Sequence, residues 1–185
     1  MCGIKVLPAG KDFKKIKSTR GTAVKEDEVG GIMALVVQKV LSIKLGEVVA
    51  LMGPNGSGKT SLALGIIGHK NYPLAGKVIL DGEDISRLPI DQRVKKGLFL
   101  AWQNPVGVRG VSVRQMLKTI GKAEDLEKTA RQLRIGKHLL TRDININFSG
   151  GEKKKIQLLE MAVLQPKYAI LDEIDSGMDL SLIHI

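Results

Sequence analysis

Residues 53–60 read Gly53-Pro54-Asn55-Gly56-Ser57-Gly58-Lys59-Thr60, followed by Ser61. Glycines let successive backbone N–H groups turn toward one anion, and a helix that starts at once adds the positive end of its dipole. The Lys59 ammonium can then reach the outer phosphates of a nucleoside triphosphate, and the Thr60 hydroxyl can ligate Mg²⁺. A second group of residues supplies what this loop lacks. The apolar stretch Tyr168-Ala169-Ile170-Leu171 ends in Asp172-Glu173; Asp172 can hold Mg²⁺, and Glu173 can polarise the water that attacks a γ-phosphate. A third is Ser149-Gly150-Gly151-Glu152 after Phe148, another anion-seeking helix start. One loop already cradles a triphosphate, so the second needs a phosphate from elsewhere. A dimer in which each protomer's second loop closes on the other's nucleotide meets that need. Lys153, Lys154 and Lys155 follow, and either add to the local positive field or form a solvated face.

The elements that must hold these groups are legible as a texture. Residues 1–31 are polar, end in Gly30-Gly31, and read as an irregular basic arm. Residues 48–52, Val-Val-Ala-Leu-Met, make a short apolar run suited to a buried strand that feeds the glycine loop. A helix opens at Lys59. Residues 78–80 read as a strand ended by an Asp81-Gly82 turn, and 98–101 as a strand running into Trp102-Gln103-Asn104-Pro105. Residues 112–140 have helical spacing and suggest two short helices. The helix after Gly151 places Ile156, Leu159 and Val163 on one face and stops at Pro166. Strands alternating with helices call for an α/β sheet, here with a small helical insertion at about 104–147.

Composition closes off other classes. With 185 residues the chain is of single-domain size. Its one cysteine, Cys2, can neither close an internal disulfide nor build a thiolate metal or cluster site, which fits a reducing, cytoplasmic setting. The longest apolar runs fall far short of the ~20 residues that span a bilayer, so direct membrane insertion is not expected. The net charge of +10 is concentrated: seven basic residues against Asp12 in positions 1–25 leave only +4 for the remaining 160. Without interleaved aromatics, nucleic acid is not the expected partner.

Taken in order, these pieces resemble an ATP-binding-cassette ATPase over residues 38–179, and that resemblance implies a P-loop NTPase fold. Residues 53–60 correspond to its Walker A motif, Gln103 to its Q-loop, Ser149 to Glu152 to its signature, 168–173 to its Walker B, and Ser176-Gly177-Met178-Asp179 to its D-loop. The resemblance implies ATP and Mg²⁺ as ligands, with Thr60, Gln103 and Asp172 on the metal. It makes Glu173 and Gln103 the catalytic pair and Asp179 the D-loop carboxylate. A head-to-tail homodimer would form on ATP binding. Transporter subunits of the family usually end the signature in Gln and place Pro-Thr after the catalytic Glu. Here the strings are Phe148-Ser-Gly-Gly-Glu-Lys-Lys154 and Leu171-Asp-Glu-Ile-Asp-Ser-Gly-Met-Asp179. With residues 99–106 and Arg142-Asp-Ile-Asn145, they are similar to the ATPase subunits of the SUF iron–sulfur cluster assembly system. The implied partners are soluble SUF scaffold proteins.

The chain departs from the family pattern in three respects. No aromatic lies between Phe13 and Tyr72 to stack on adenine, the helical insertion is short, and His184, 11 residues past Glu173, is too close to act as the family's switch histidine. Residues 1–31 and 180–185 therefore read as ends foreign to the family, the sheet as incomplete, and the chain by itself as a weak ATPase. The alternative within the family is the nucleotide-binding subunit of an ABC transporter. A DNA-organising ATPase would need a long coiled coil between the two loops, and the 90 positions from Lys59 to Ser149 show no heptads. A regulatory module that binds nucleotide without turnover is a further possibility.

Overall fold

The computed structural model describes residues 3–8, 24–29, 32–37, 41–120 and 126–172. The chain forms two compact units, Met1–Leu98 and Phe99–Ile185, each taken by itself below.

The first unit is built on a six-stranded sheet. Strands β1 (Gly3–Pro8), β2 (Val24–Val29), β3 (Ile32–Val37), β4 (Leu41–Lys44) and β5 (Leu74–Leu80) lie in the order β2-β3-β5-β1-β4, and β6 (Glu83–Asp84) pairs with β5. β1 runs antiparallel to β4, from Gly3 opposite Lys44, and to β5, from Ile4 opposite Leu80. β2 and β3 form an antiparallel pair, and β3 meets β5 in parallel at Leu35–Leu74. Residues 3–8 and 24–29, expected to be irregular, are therefore strands. The charged β2 is specified by its ladder with β3 rather than by apolar alternation. Asp81 (φ 51°) and Gly82 (φ 90°) form the two-residue turn between β5 and β6, in the left-handed conformation such hairpins demand.

Helix α1 (Lys59–Ile67) lies against β5 and α2 (Ile90–Lys95). Leu62, Ile66 and Ile67 on α1 and Val78 and Leu80 on β5 are all at most 5% exposed, and each such burial contributes about 1.5–3 kcal/mol. The reading of residues 48–52 as a buried strand fails: they belong to no ladder, Val48 is 98% exposed and Met52 89%. The β1–β4 ladder stops at Lys44, and the chain then turns at Gly46 (φ 78°), with Glu47 N–H donating to Lys44 O at 3.1 Å. Beyond that turn no described strand offers pairing, and apolar side chains alone do not make a strand.

The second unit pairs β7 (Leu98–Ala101) with β8 (Tyr168–Leu171). Helices α3 (Val113–Ile120), α4 (Leu126–Gln132) and α5 (Lys137–Leu140) occupy the insertion, one more than its spacing suggested. The long helix α6 (Gly150–Leu164) ends at Gln165 (φ 46°), directly before Pro166. Ile156 and Leu159 of α6, both fully buried, share a core with Val113 and Leu117 of α3 and Leu126 and Ala130 of α4. Among the described residues no helix is long and apolar enough to cross a membrane.

Candidate functional site

In the first unit the glycine loop ends in a helix start of the kind its spacing implied. Gly56 (φ 78°) and Gly58 (φ 85°) are left-handed, a conformation open to glycine at no steric cost. Ser57 N–H donates to Pro54 O at 3.2 Å, tightening the turn over Asn55. At Gly53 an added Cβ would lie 2.8 Å from Ser57 Oγ, so any larger residue there would have to turn that hydroxyl aside. Gly58 is the N-cap of α1 and has no side chain to cap it, nor does an acidic residue occupy the first turn. The helix thus presents its positive end to the loop unneutralised. Lys59 folds back across the loop, its Nζ donating to Gly53 O at 2.8 Å and Pro54 O at 2.9 Å. Thr60 and Ser61 stand in the first turn, partly exposed.

Arg93 of α2 holds the other end of the same helix. It is 4% exposed and donates four hydrogen bonds to main-chain carbonyls. Nη1 reaches Gly65 O (3.2 Å) and Ile66 O (2.6 Å), Nη2 reaches Ser86 O (2.6 Å), and Nε reaches Leu88 O (2.7 Å). Burial holds the guanidinium below the usual arginine range, with the Asp84 carboxylate acting against it. A cation at the C-terminal carbonyls of α1 complements the helix dipole. Nothing in the polar string around Arg93 announces this role.

In the second unit Asp172 directly follows β8, and its N–H donates to Ala101 O at 3.4 Å, which brings it beside the end of β7, two residues before Gln103. Gln103 itself is exposed. Glu173 and Asp179, with the rest of the D-loop, lie outside the described residues. Ser149 is the N-cap of α6 and forms a capping box: Glu152 N–H donates to Ser149 Oγ at 3.2 Å, and Ser149 N–H donates to Glu152 Oε2 at 2.7 Å. That backbone hydrogen bond, ahead of its other partners, holds the Glu152 carboxyl below its ordinary value. Glu152 therefore shapes the turn, with both the main chain and the side chain of Ser149 on its carboxylate. At Gly150 an added Cβ would meet nothing within 4 Å. Lys153, Lys154 and Lys155 are partly exposed.

The turn is braced from behind. Arg142 donates to Ile146 O (3.2 Å) and Asn147 O (2.8 Å), and its guanidinium lies 4.8 Å from the centre of the Phe148 ring. Asn145, buried and left-handed (φ 55°), donates through Nδ2 to Val106 O at 3.1 Å. Asp143 Oδ2 accepts from Gly110 N–H at 3.0 Å, and Val108 N–H donates to Ile144 O at 2.9 Å. The Arg142-Asp-Ile-Asn145 string is thus a clasp between the segment after Gln103 and the segment before Ser149.

Glu160, on α6 one turn beyond Ile156, has its carboxyl pushed by burial up to about 7. The folded chain keeps this proton where an unfolded glutamate, near 4.3, has lost it. Its contribution is therefore most favourable below about pH 4 and is lost as pH rises through about 7. Glu160→Gln is expected to leave stability nearly unchanged at pH 4 and to raise it by ~3 kcal/mol at pH 8. Urea midpoints at the two pH values check this, and equal effects at both would refute it.

Solved structures with this fold are ATP-binding cassettes. The chain superimposes on a nucleotide-free ATP-binding cassette from an ABC transporter with a TM-score of 0.65 at 23% identity, covering 98% of this chain and 73% of that one. Residues 38–176 match the sequence profile of the family described as ABC transporter, and the chain belongs to that family. Among curated relatives, one from Escherichia coli K12, "Probable ATP-dependent transporter SufC", is 39% identical over 162 residues, covering 78% of this chain and 65% of that protein. Another, from Streptococcus pyogenes serotype M3, "Probable ABC transporter ATP-binding protein SpyM3_0208", is 38% identical over 160 residues, covering 78% and 62%. The chain thus spans about 62% of the length of that relative.

Proposed function

We propose that the full-length protein hydrolyses ATP and thereby powers iron–sulfur cluster assembly on a soluble scaffold in the cytoplasm. The observation that carries the nucleotide reading is the loop at 53–60: two left-handed glycines, an uncapped helix start and a lysine folded over the loop. A triphosphate fits that donor set, which is all N–H and ammonium. Mg²⁺ fits as well, since it takes one or two protein oxygens beside substrate phosphates and water. Among the described residues no group of three or more His, Cys, Asp or Glu could hold a metal ion, and Mg²⁺ needs none. Thr60, Gln103 and Asp172 would hold it; when bound it neutralises charge developing on the transferred phosphoryl group.

The main-chain N–H groups of residues 55, 56 and 58–60 and the Lys59 ammonium bind and orient the β- and γ-phosphates, while the Ser57 N–H stays on Pro54 O. Glu173 takes the proton of the attacking water as the new P–O bond forms and the bond to the β-phosphate oxygen breaks, releasing ADP and phosphate. Asp179 serves the D-loop. Ser149, Gly150, Gly151 and Glu152 meet the γ-phosphate held by a second protomer. The open space at Gly150 supports this, because neither the packing of the chain nor a positive φ calls for glycine there.

The SUF reading is supported by the Glu-ended signature, by the residues after Glu173 and by the similarity to SufC. The second reading, a transporter's nucleotide-binding subunit, is favoured by relatives that carry ABC transporter names. Affinity capture of the tagged full-length protein with ATP and Mg²⁺, from cytosolic and membrane fractions of its own cells, decides between them. Soluble scaffold proteins recovered by the wild type, with ATP turnover abolished by Glu173→Gln, are the expected result. Recovery of membrane-embedded subunits instead would overturn it.

A further inference from the structure

The chain leaves β7 at Ala101, and the single residue before Gln103 is Trp102. Its carbonyl accepts a hydrogen bond from Gln157 Nε2 at 2.9 Å. Gln157 is 2% exposed and lies on α6 beside Ile156 and two positions before Leu159, both fully buried. A carboxamide in such a setting is costly unless bonded, so this hydrogen bond is strongly selected in the folded state. The preceding carbonyl, Ala101 O, accepts from Asp172 N–H at the end of β8. Two elements therefore fix consecutive peptide groups on the N-terminal side of Gln103.

We propose that Gln157 is a positioning residue for Gln103. The helix that begins at the Ser149–Glu152 capping box fixes, through one amide, the main chain from which the Gln103 side chain departs. Gln157 touches neither nucleotide nor metal; it acts through the Trp102 peptide, and a displacement of α6 is passed to Gln103 by the same bond. The inference rests on the proposed function only in taking Gln103 as a group on the Mg²⁺–ATP site.

Trp102 is the only tryptophan of these 185 residues; with any tryptophan outside them replaced by phenylalanine, its emission reports on this peptide directly. Gln157→Leu in the full-length protein keeps most of the volume and loses the donor. Gln157→Glu has a proton to donate to Trp102 O only when its carboxyl is protonated. In Gln157→Leu we expect red-shifted Trp102 emission with faster acrylamide quenching, and an unchanged affinity for ATP in EDTA. The tightening of ATP binding by Mg²⁺ should fall by about tenfold, the usual scale for loss of an outer-shell partner. Gln157→Glu should resemble the wild type at acid pH and the leucine variant at pH 8. If the leucine variant does not fold, this pH comparison decides alone. Wild-type emission and Mg²⁺ response in a folded variant, or a pH-independent Gln157→Glu phenotype, would overturn the proposal. So would altered emission with an unaltered Mg²⁺ response. If the wild type shows no Mg²⁺-dependent ATP binding, the nucleotide reading fails, while the Trp102 emission still decides whether Gln157 holds the peptide.

Discussion

A Lys59→Ala variant is expected to bind ATP roughly 100-fold more weakly than the wild type, a loss of about 2–3 kcal/mol for one charge-assisted contact to phosphate. The ammonium lies within hydrogen-bond distance of Gly53 O and Pro54 O, so its charge is placed over the loop before any ligand arrives and little side-chain entropy remains to be lost. Lys59→Arg should not rescue, because a planar five-donor fork does not fit where a compact ammonium bridges two carbonyls. Titration with a fluorescent ATP analogue measures the loss. Thermal melts without nucleotide control for folding and should move little, since the two bonds involved are exposed. Unchanged affinity in a folded Lys59→Ala protein would remove the loop from the nucleotide site.

Arg93→Met is expected to cost the fold ~3–5 kcal/mol, since it strips four main-chain carbonyls of a charged donor in one step. In a chain of this size each 1 kcal/mol moves the melting midpoint by about 2–4 °C, so a drop on the order of 10 °C is expected. Arg93→Lys should recover only part, because one ammonium cannot reach Gly65, Ile66, Ser86 and Leu88 carbonyls together. Gly68 reinforces the point: it stands at φ 87°, and a Cβ there would come within 2.7 Å of Arg93 Nε. Melting by circular dichroism checks the series. A midpoint within two or three degrees of wild type (under about 1 kcal/mol) would show that water replaces the guanidinium without cost.

The features legible in the sequence are those whose cause is local. The loop at 53–60 declares itself by glycine spacing and by the helix that must follow. α6 declares itself by Ser149 and Glu152 three apart, by Ile156 and Leu159, and by Pro166; the structure adds that the signature's glutamate closes the cap. β7 and β8 are short apolar runs that became strands. What local reasoning missed depends on partners distant in the chain. β2 is a string of charges made into a strand by β3, and 48–52 is an apolar string left without a ladder. Arg93 and Gln157 carry no local signal, because the carbonyls they hold come from 28 and 55 positions away at the farthest. Arg142 and Asn145 were visible only as part of a family-like string, and their bracing of the Phe148 turn is tertiary.

The clasp has a consequence for the helices it encloses. Val113 N–H donates to Arg142 O at 3.1 Å, so the excursion through α3, α4 and α5 begins and ends at the same hydrogen bond. Closing a loop of this size costs only ~0.6 kcal/mol more for each doubling of its length. The excursion can therefore be lengthened, trimmed or regrafted with little effect on where its ends sit, provided the apolar face against Ile156 and Leu159 is kept. It is a cassette within the chain, free to drift in sequence while Gln103 and Ser149 on either side of it stay where they are.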